Sequence, residues 1–316
     1  MNFNTKTGRW IILLGLAVIW GSSFILMKRG LEAYSSSQVA SLRIFIAFLF
    51  LIPFAARNLK LAVSKKWKYL LAAGVFGNCI PAYLFTYAQT GLASSLTGML
   101  NSLTPLFTLI LGVFIFQVKI KWFNALGVII GLAGAFGLIL TNDGMAFSGS
   151  FEYAIYIIIA TFMYALSVNI IKKHLNDVNS VHISAISFMF IGPITGIYLF
   201  STDFTVVLAT HTKAYSSLAY ITVLALVGTA ASLMVFNVLI KMTSAIFASS
   251  VTYIIPVVAM MWGVLDGEII TLLHLLWIII ILLGVYLVNK KKNEQNIHTK
   301  KDSNVKILPG SETITY

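Results

Sequence analysis

Acid–base chemistry would need carboxylates or histidines at places where a substrate could be held. The acidic residues are Glu32, Asp143, Glu152, Asp177, Asp203, Asp266, Glu268, Glu294, Asp302 and Glu312. None falls near the middle of an apolar run. Asp266 and Glu268, at the end of one such run, come closest. The five histidines sit in polar segments or near run ends. No H-E-x-x-H zinc motif occurs, and no G-x-S-x-G nucleophile elbow. Gly144 to Gly149 has the glycine spacing of a phosphate loop but lacks the lysine that should follow. The single cysteine, Cys79, can form neither an internal disulfide nor a cysteine-rich metal site. Catalysis, a metal and a nucleotide cofactor are therefore not expected.

Binding chemistry is what remains. Thr97, Asn101, Thr104 and Thr108 recur at i, i+4, i+7 and i+11, which is one face of a helix. Other apolar runs carry Trp20 and Ser23; Asn78, Tyr83 and Thr86; Thr161 and Tyr164; Ser232 and Asn237; and Ser249, Thr252 and Tyr253. Two readings are open for these groups. They hydrogen-bond between helices, at about 0.6 kcal/mol each, or they line a substrate cavity. Arg43 also has two readings. It snorkels to headgroups, or it clamps an anionic group or a helix end.

The elements that carry these residues follow from hydropathy. Hydrophobic residues make up 59% of the 316 and charged residues 10%, against about 45–50% and 25% in soluble domains. Mean hydropathy is +0.90. So few charges cannot cover a water-exposed surface, whereas lipid solvates apolar surface directly. A span needs about 20 apolar residues. Ten runs qualify, at 10–30, 38–57, 69–89, 95–117, 123–141, 153–172, 181–201, 217–240, 244–265 and 272–289. They are continuous rather than alternating, which excludes a β-barrel. The first run is too long for a signal-peptide core and lacks its cleavage site.

Charge orients the spans. With the N-terminus inside, 18 of the 22 Lys and Arg fall in inner segments and three (Lys28, Arg29 and Lys213) in outer ones; Arg43 lies within span two. This is the positive-inside bias of a chain with both termini cytoplasmic. It also accounts for the net charge of +12 without nucleic acid. Residues 1–9 read as a short tail. Residues 290–316 are polar, Lys- and Asn-rich and expected to be disordered, with Lys290 to Lys292 at the anionic headgroups.

The two halves repeat at an offset of 151. Pro105 and Gly112-Val113 match Pro256 and Gly263-Val264; Gly77 matches Gly228, Phe85 matches Phe236, and Gln117 matches Glu268. Five spans per half is an odd number, so the second half enters from the opposite side. The expected fold is an all-α integral membrane protein, with ten transmembrane helices as two inverted five-helix repeats over 10–141 and 153–289. Pro105 and Pro256 each remove a backbone hydrogen bond and are expected hinges. They free the carbonyls of Asn101 and Thr252. Gly127, Gly131 and Gly134 form a small-residue face for close helix contact, within this chain or with a second copy.

Trp20-Gly21-Ser22-Ser23-Phe24, then Lys28, Arg43 ahead of Pro53, the prolines of spans four and nine, and Glu268 together resemble the drug/metabolite transporter superfamily, EamA type. The resemblance covers residues 10 to 290. It implies a central cavity lined by spans one, three, four, six, eight and nine, with five and ten peripheral. One departure is Gln117, where the family often has Glu. The expected function is secondary transport of a small amphipathic metabolite, amino acid-like or drug-like, by export across a bacterial inner membrane. The substrate cavity is expected at Trp20, Ser23, Asn78, Tyr83, Asn101, Thr104, Tyr164, Asn237, Thr252 and Tyr253, with coupling or gating at Arg43 and Glu268. The partners are the substrate and the bilayer, and the protein is a monomer or homodimer. A receptor or scaffold without flux, and less so an intramembrane enzyme, are the competing readings.

Overall fold

The computed structural model describes residues 5–92, 94–119, 121–141, 151–265 and 271–289. Asp143, Gly144 to Gly149, Asp266, Glu268 and the tail from Lys290 lie outside them. Every described regular element is helical, as expected where backbone groups have no water to bond.

Helix α1 is Lys6–Gly30 and α2 is Ser36–Ala56. Thr5 caps α1 through the Gly8 amide. Ser35 and Gln38 close a reciprocal capping box on α2. Helix α3 spans Trp67–Ala88 and α4 spans Thr97–Phe114. Helix α5 is Trp122–Thr141, α6 Phe151–His174, α7 Ser180–Ser201 and α8 the short Phe204–Thr210. Helix α9 spans Ala214–Met242 and α10 Ala245–Trp262; α11 is Leu272–Asn289. Among the described residues, eight helices are long and apolar enough to cross a membrane. The apolar stretches of α5 and α11 are shorter there, Trp122–Gly134 and Leu275–Gly284.

Four helices are interrupted, in matching places. Helix α3 turns π-helical at Val75–Cys79 and α9 at Leu226–Ala231, 151 residues on. Helix α4 tightens to a 3-10 turn at Asn101–Leu103, and α10 at Ser250–Tyr253. Pro105 and Pro256 each follow as the second residue of the resumed helix. The freed carbonyls are not left bare. Thr104 Oγ1 donates to the Asn101 carbonyl at 2.8 Å, and Ser102 Oγ donates to the Thr252 carbonyl at 3.0 Å. A hydroxyl thus replaces the amide that proline lacks.

Gln117, three residues past the end of α4, has φ 55. A non-glycine residue rarely adopts this left-handed conformation, and here it turns the chain after the helix. The closest helix pair is α5 with α11. A Cβ on Gly284 would sit 2.4 Å from the Gly131 nitrogen and 2.8 Å from the Gly127 carbonyl oxygen. The small-residue face of α5 is therefore occupied by α11 of the same chain.

Polar contacts tie the two ends of the bundle. At one end, Glu32 accepts from Arg29 (2.8 Å) and Lys213 (2.6 Å). At the other, Lys66 pairs with Asp177. On that second side Lys172 Nζ donates to the carbonyls of Ile240 (3.0 Å) and Lys241 (3.1 Å) at the C-terminus of α9, where a cation meets the negative helix end.

Candidate functional site

A cavity of about 110 Å³ lies inside the bundle, lined by α1, α2, α3, α4, α6, α7, α9 and α10. None of the described side chains of α5 or α11 lines it. Its walls follow the pattern by which each helix turns side chains inward. Helix α1 presents Trp20, Ser23, Phe24 and Met27; α6 presents Tyr164, Ser167, Val168 and Ile171. The second set is the first shifted by 144 residues. From α3 and α9 the shift is 151, and it relates Gly77 to Gly228 and Phe85 to Phe236. Asn101 and Thr104 of α4 correspond in the same way to Thr252 and Ile255 of α10. The register changes by seven residues between α7 and α9, where the second half carries α8.

The aromatic residues form two equivalent pairs. Trp20 meets Phe236 edge-on with centroids 4.9 Å apart, and Tyr164 lies 5.7 Å from Phe85. The offsets turn one pair into the other. Both distances suit favourable ring geometry. Trp20 is further held by its Nε1, which donates to the Gly228 carbonyl and to Ser232 Oγ, each at 3.0 Å. The Gly228 carbonyl belongs to a π-helical turn, where the usual ladder is broken.

Two close approaches hold the halves together, and they are equivalent in the same way. A Cβ on Gly77 would lie 2.4 Å from Ser167 Oγ, and one on Gly228 would lie 2.8 Å from Ser23 Oγ. In each, a glycine in the π-helical turn of one half receives the serine of the other half's first helix. Only glycine leaves room for that serine.

Of the expected cavity residues, the structure brings together Trp20, Ser23, Asn78, Asn101, Thr104, Tyr164, Asn237 and Thr252. Asn237 Nδ2 donates to Ser184 Oγ at 2.9 Å, and Asn78 Nδ2 to the Ala73 carbonyl at 3.4 Å. Two expected residues point elsewhere. Tyr253 is fully buried, and its hydroxyl donates to the Val128 carbonyl of α5 at 3.2 Å. It shares a 3-10 turn with Thr252, and neighbours in such a turn face different ways. Tyr83 bonds Ser41 of α2 through its hydroxyl at 2.7 Å and packs on Tyr198. Glu268 lies outside the described residues.

Arg43 does not snorkel. It turns inward, lines the cavity and donates from Nε to Thr229 Oγ1 at 2.7 Å. Thr229 sits in the π-helical turn of α9 and itself donates to the Leu224 carbonyl at 3.0 Å. The charge is therefore aimed by a groove that the broken ladder creates. Helix α7 also contributes Ser184 and Ser187, which the sequence reading missed. Ser180, Ser184 and Ser187 recur at i, i+4 and i+7, the same one-face signal that marks α4.

With no cavity carboxylate among the described residues, the site offers hydroxyls, amides, ring faces and one guanidinium. Such a lining binds and orients a small molecule and holds no nucleophile–base pair. No group of three or more His, Cys, Asp or Glu that could hold a metal occurs among the described residues.

Comparison with known proteins places this geometry. The model of the EamA-like transporter family matches twice, over residues 9–140 and 152–290. The chain is 27% identical over 286 residues to the uncharacterized inner membrane transporter YedA of Escherichia coli K12, covering 89% of this chain and 90% of that one. It is 25% identical over 291 residues to an uncharacterized transporter of Archaeoglobus fulgidus, covering 90% and 99%. Over 142 residues it is 26% identical to a probable amino-acid metabolite efflux pump of Salmonella typhimurium, covering 44% and 46%. A crystal structure with 14% sequence identity shares the fold, with a TM-score of 0.68 over 90% of this chain and 96% of that one. The chain belongs to the EamA-like transporter family and is a multi-pass membrane transporter.

Proposed function

We propose that the chain is a secondary transporter that exports a small amphipathic metabolite, amino acid-like or drug-like, by alternating access. The observation that carries this reading is the cavity wall. Its positions recur at offsets of 144 and 151, so two related halves contribute equivalent side chains to one central site. Two similar halves in opposite orientation can exchange conformations, opening the same site to either side in turn. The proposed architecture is ten transmembrane helices in two inverted repeats, 10–141 and 153–289, between cytoplasmic tails 1–9 and 290–316. The ion pairs support this topology, because each joins segments assigned to one side: Glu32 with Lys213 outside, Lys66 with Asp177 inside. The inner-membrane and efflux assignments draw on the names of the relatives in Escherichia coli and Salmonella typhimurium.

In this reading the cavity binds the substrate through Trp20, Ser23, Asn78, Asn101, Thr104, Tyr164, Asn237 and Thr252. Pro105 and Pro256 mark the hinges, where both helices already lack a continuous ladder. Glu268 serves coupling or gating. Purified protein in liposomes, assayed for counterflow with a panel of amino acids and amphipathic amines, tests the reading. Saturable counterflow of at least one compound is expected, and Tyr164→Ala or Asn101→Ala should change which compounds are carried. Binding without counterflow of any compound would make the protein a receptor instead.

A further inference from the structure

Arg43 is a cation deep in the bundle with only one hydrogen-bond acceptor. Thr229 Oγ1 takes its Nε proton, and no other protein partner accepts from its side chain among the described residues. It has no ion-pair partner there either, and no described cavity-lining residue is acidic. A guanidinium at membrane depth without a counter-charge is costly and rare. Arg43 lines a cavity whose other described polar groups are neutral. At the matching position of the second half, 144 residues on, stands Ser187, which also lines the cavity. The site is therefore two-fold in shape but carries charge on one side only.

We propose that the substrate is a monoanion with an apolar body, and that Arg43 binds its carboxylate end-on through the two terminal nitrogens. Arginine suits this role because its planar fork matches a carboxylate's two oxygens. Thr229 fixes the plane of the fork by holding Nε. A dianion such as a phosphate monoester would bring a second charge with nothing to meet it. The apolar body lies between the Trp20–Phe236 and Phe85–Tyr164 pairs. With charge on one side only, the substrate has one favoured orientation. This inference rests on the transporter reading of the cavity, and it names the substrate class.

Three probes that share a phenyl group separate the contributions: 3-phenylpropanoate carries only the carboxylate, phenethylamine only the ammonium, and L-phenylalanine both. Binding is read from the shift in unfolding temperature of the purified protein, and transport from counterflow in liposomes. In the wild type, 3-phenylpropanoate should stabilise the protein and phenethylamine should not. L-phenylalanine should stabilise less than 3-phenylpropanoate, because no described acid in the cavity meets its ammonium. Arg43→Gln should weaken carboxylate binding at least tenfold, and Arg43→Lys should restore part of it. Equal stabilisation by phenethylamine and 3-phenylpropanoate in the wild type overturns the inference without any variant. Carboxylate preference kept in Arg43→Gln overturns it too, as does stabilisation by none of the three. Carboxylate binding that needs Arg43, without counterflow, supports the inference while overturning the transporter reading. Counterflow of phenethylamine alone does the opposite.

Discussion

The paired glycine–serine contacts permit a quantitative test. In Gly77→Ala the new Cβ lies 2.4 Å from Ser167 Oγ and 3.1 Å from Ser167 Cβ. The oxygen must give way by about 1 Å to reach ordinary contact, and turning it aside leaves the Cβ still tight. Overpacking of this kind costs roughly 1–3 kcal/mol, and the better helix propensity of alanine returns at most about 1 kcal/mol. The net loss should be about 1–2 kcal/mol. Ser167→Ala alone should cost little, because its bond to the Ala73 carbonyl is long at 3.5 Å and interhelical bonds in membranes average about 0.6 kcal/mol. The double variant removes the oxygen that the new methyl strikes. A double-mutant cycle, read by reversible unfolding in mixed detergent–SDS micelles, should then give a favourable coupling of about 1 kcal/mol or more. At Gly228 the Cβ meets Ser23 Oγ at 2.8 Å, Leu224 Cδ1 at 3.1 Å and Ser23 Cβ only at 3.9 Å. A turn of the Ser23 hydroxyl and a small shift of the flexible Leu224 end relieve most of that contact, so Gly228→Ala should be milder. Zero coupling between Gly77 and Ser167, or Gly228→Ala the more damaging of the two, would refute the packing argument.

Other outcomes follow from the same geometry. Tyr253→Phe should lose about 0.6 kcal/mol with its bond to Val128 and leave substrate preference unchanged, as counterflow would register. Ile279→Ala and Ile280→Ala, in α11, should also leave preference unchanged, whereas Tyr164→Ala should shift it. An impermeant thiol reagent should label a single cysteine at Asp203 from outside and one at Lys66 only from inside. The Lys213 and Arg29 bonds hold the Glu32 carboxyl below its ordinary value of 4.5. A depressed carboxylate adds stability at neutral pH that is lost as pH falls below that value. Glu32→Gln should therefore flatten the acid limb of an unfolding-temperature curve. Glu268→Gln should leave downhill flux largely intact, and abolished flux in a well-inserted variant would make Glu268 essential to the cycle.

Membrane insertion, helical class and the family resemblance were legible in the chain because they depend on local properties. Apolar run length decides whether a segment can leave water, and proline decides where a ladder breaks. The spacing of Thr97, Asn101, Thr104 and Thr108 revealed a polar face because helical periodicity needs no neighbour. The repeat matches Gly77–Gly228 and Phe85–Phe236 were visible, but their presence on the cavity wall was not. Tertiary structure decided the direction of each side chain at an interrupted turn. Tyr253 looks like a cavity residue beside Thr252, yet a 3-10 turn sends it to Val128. Arg43 could have reached the headgroups. It turns inward because the π-helical turn of α9 presents Thr229 to it, and α2 of the other half packs against that turn. Hydropathy reports how each segment partitions between water and lipid. Which groups share one cavity is set by contacts across more than 200 residues of chain, such as Trp20 with Gly228, 208 residues apart, and no local pattern encodes them.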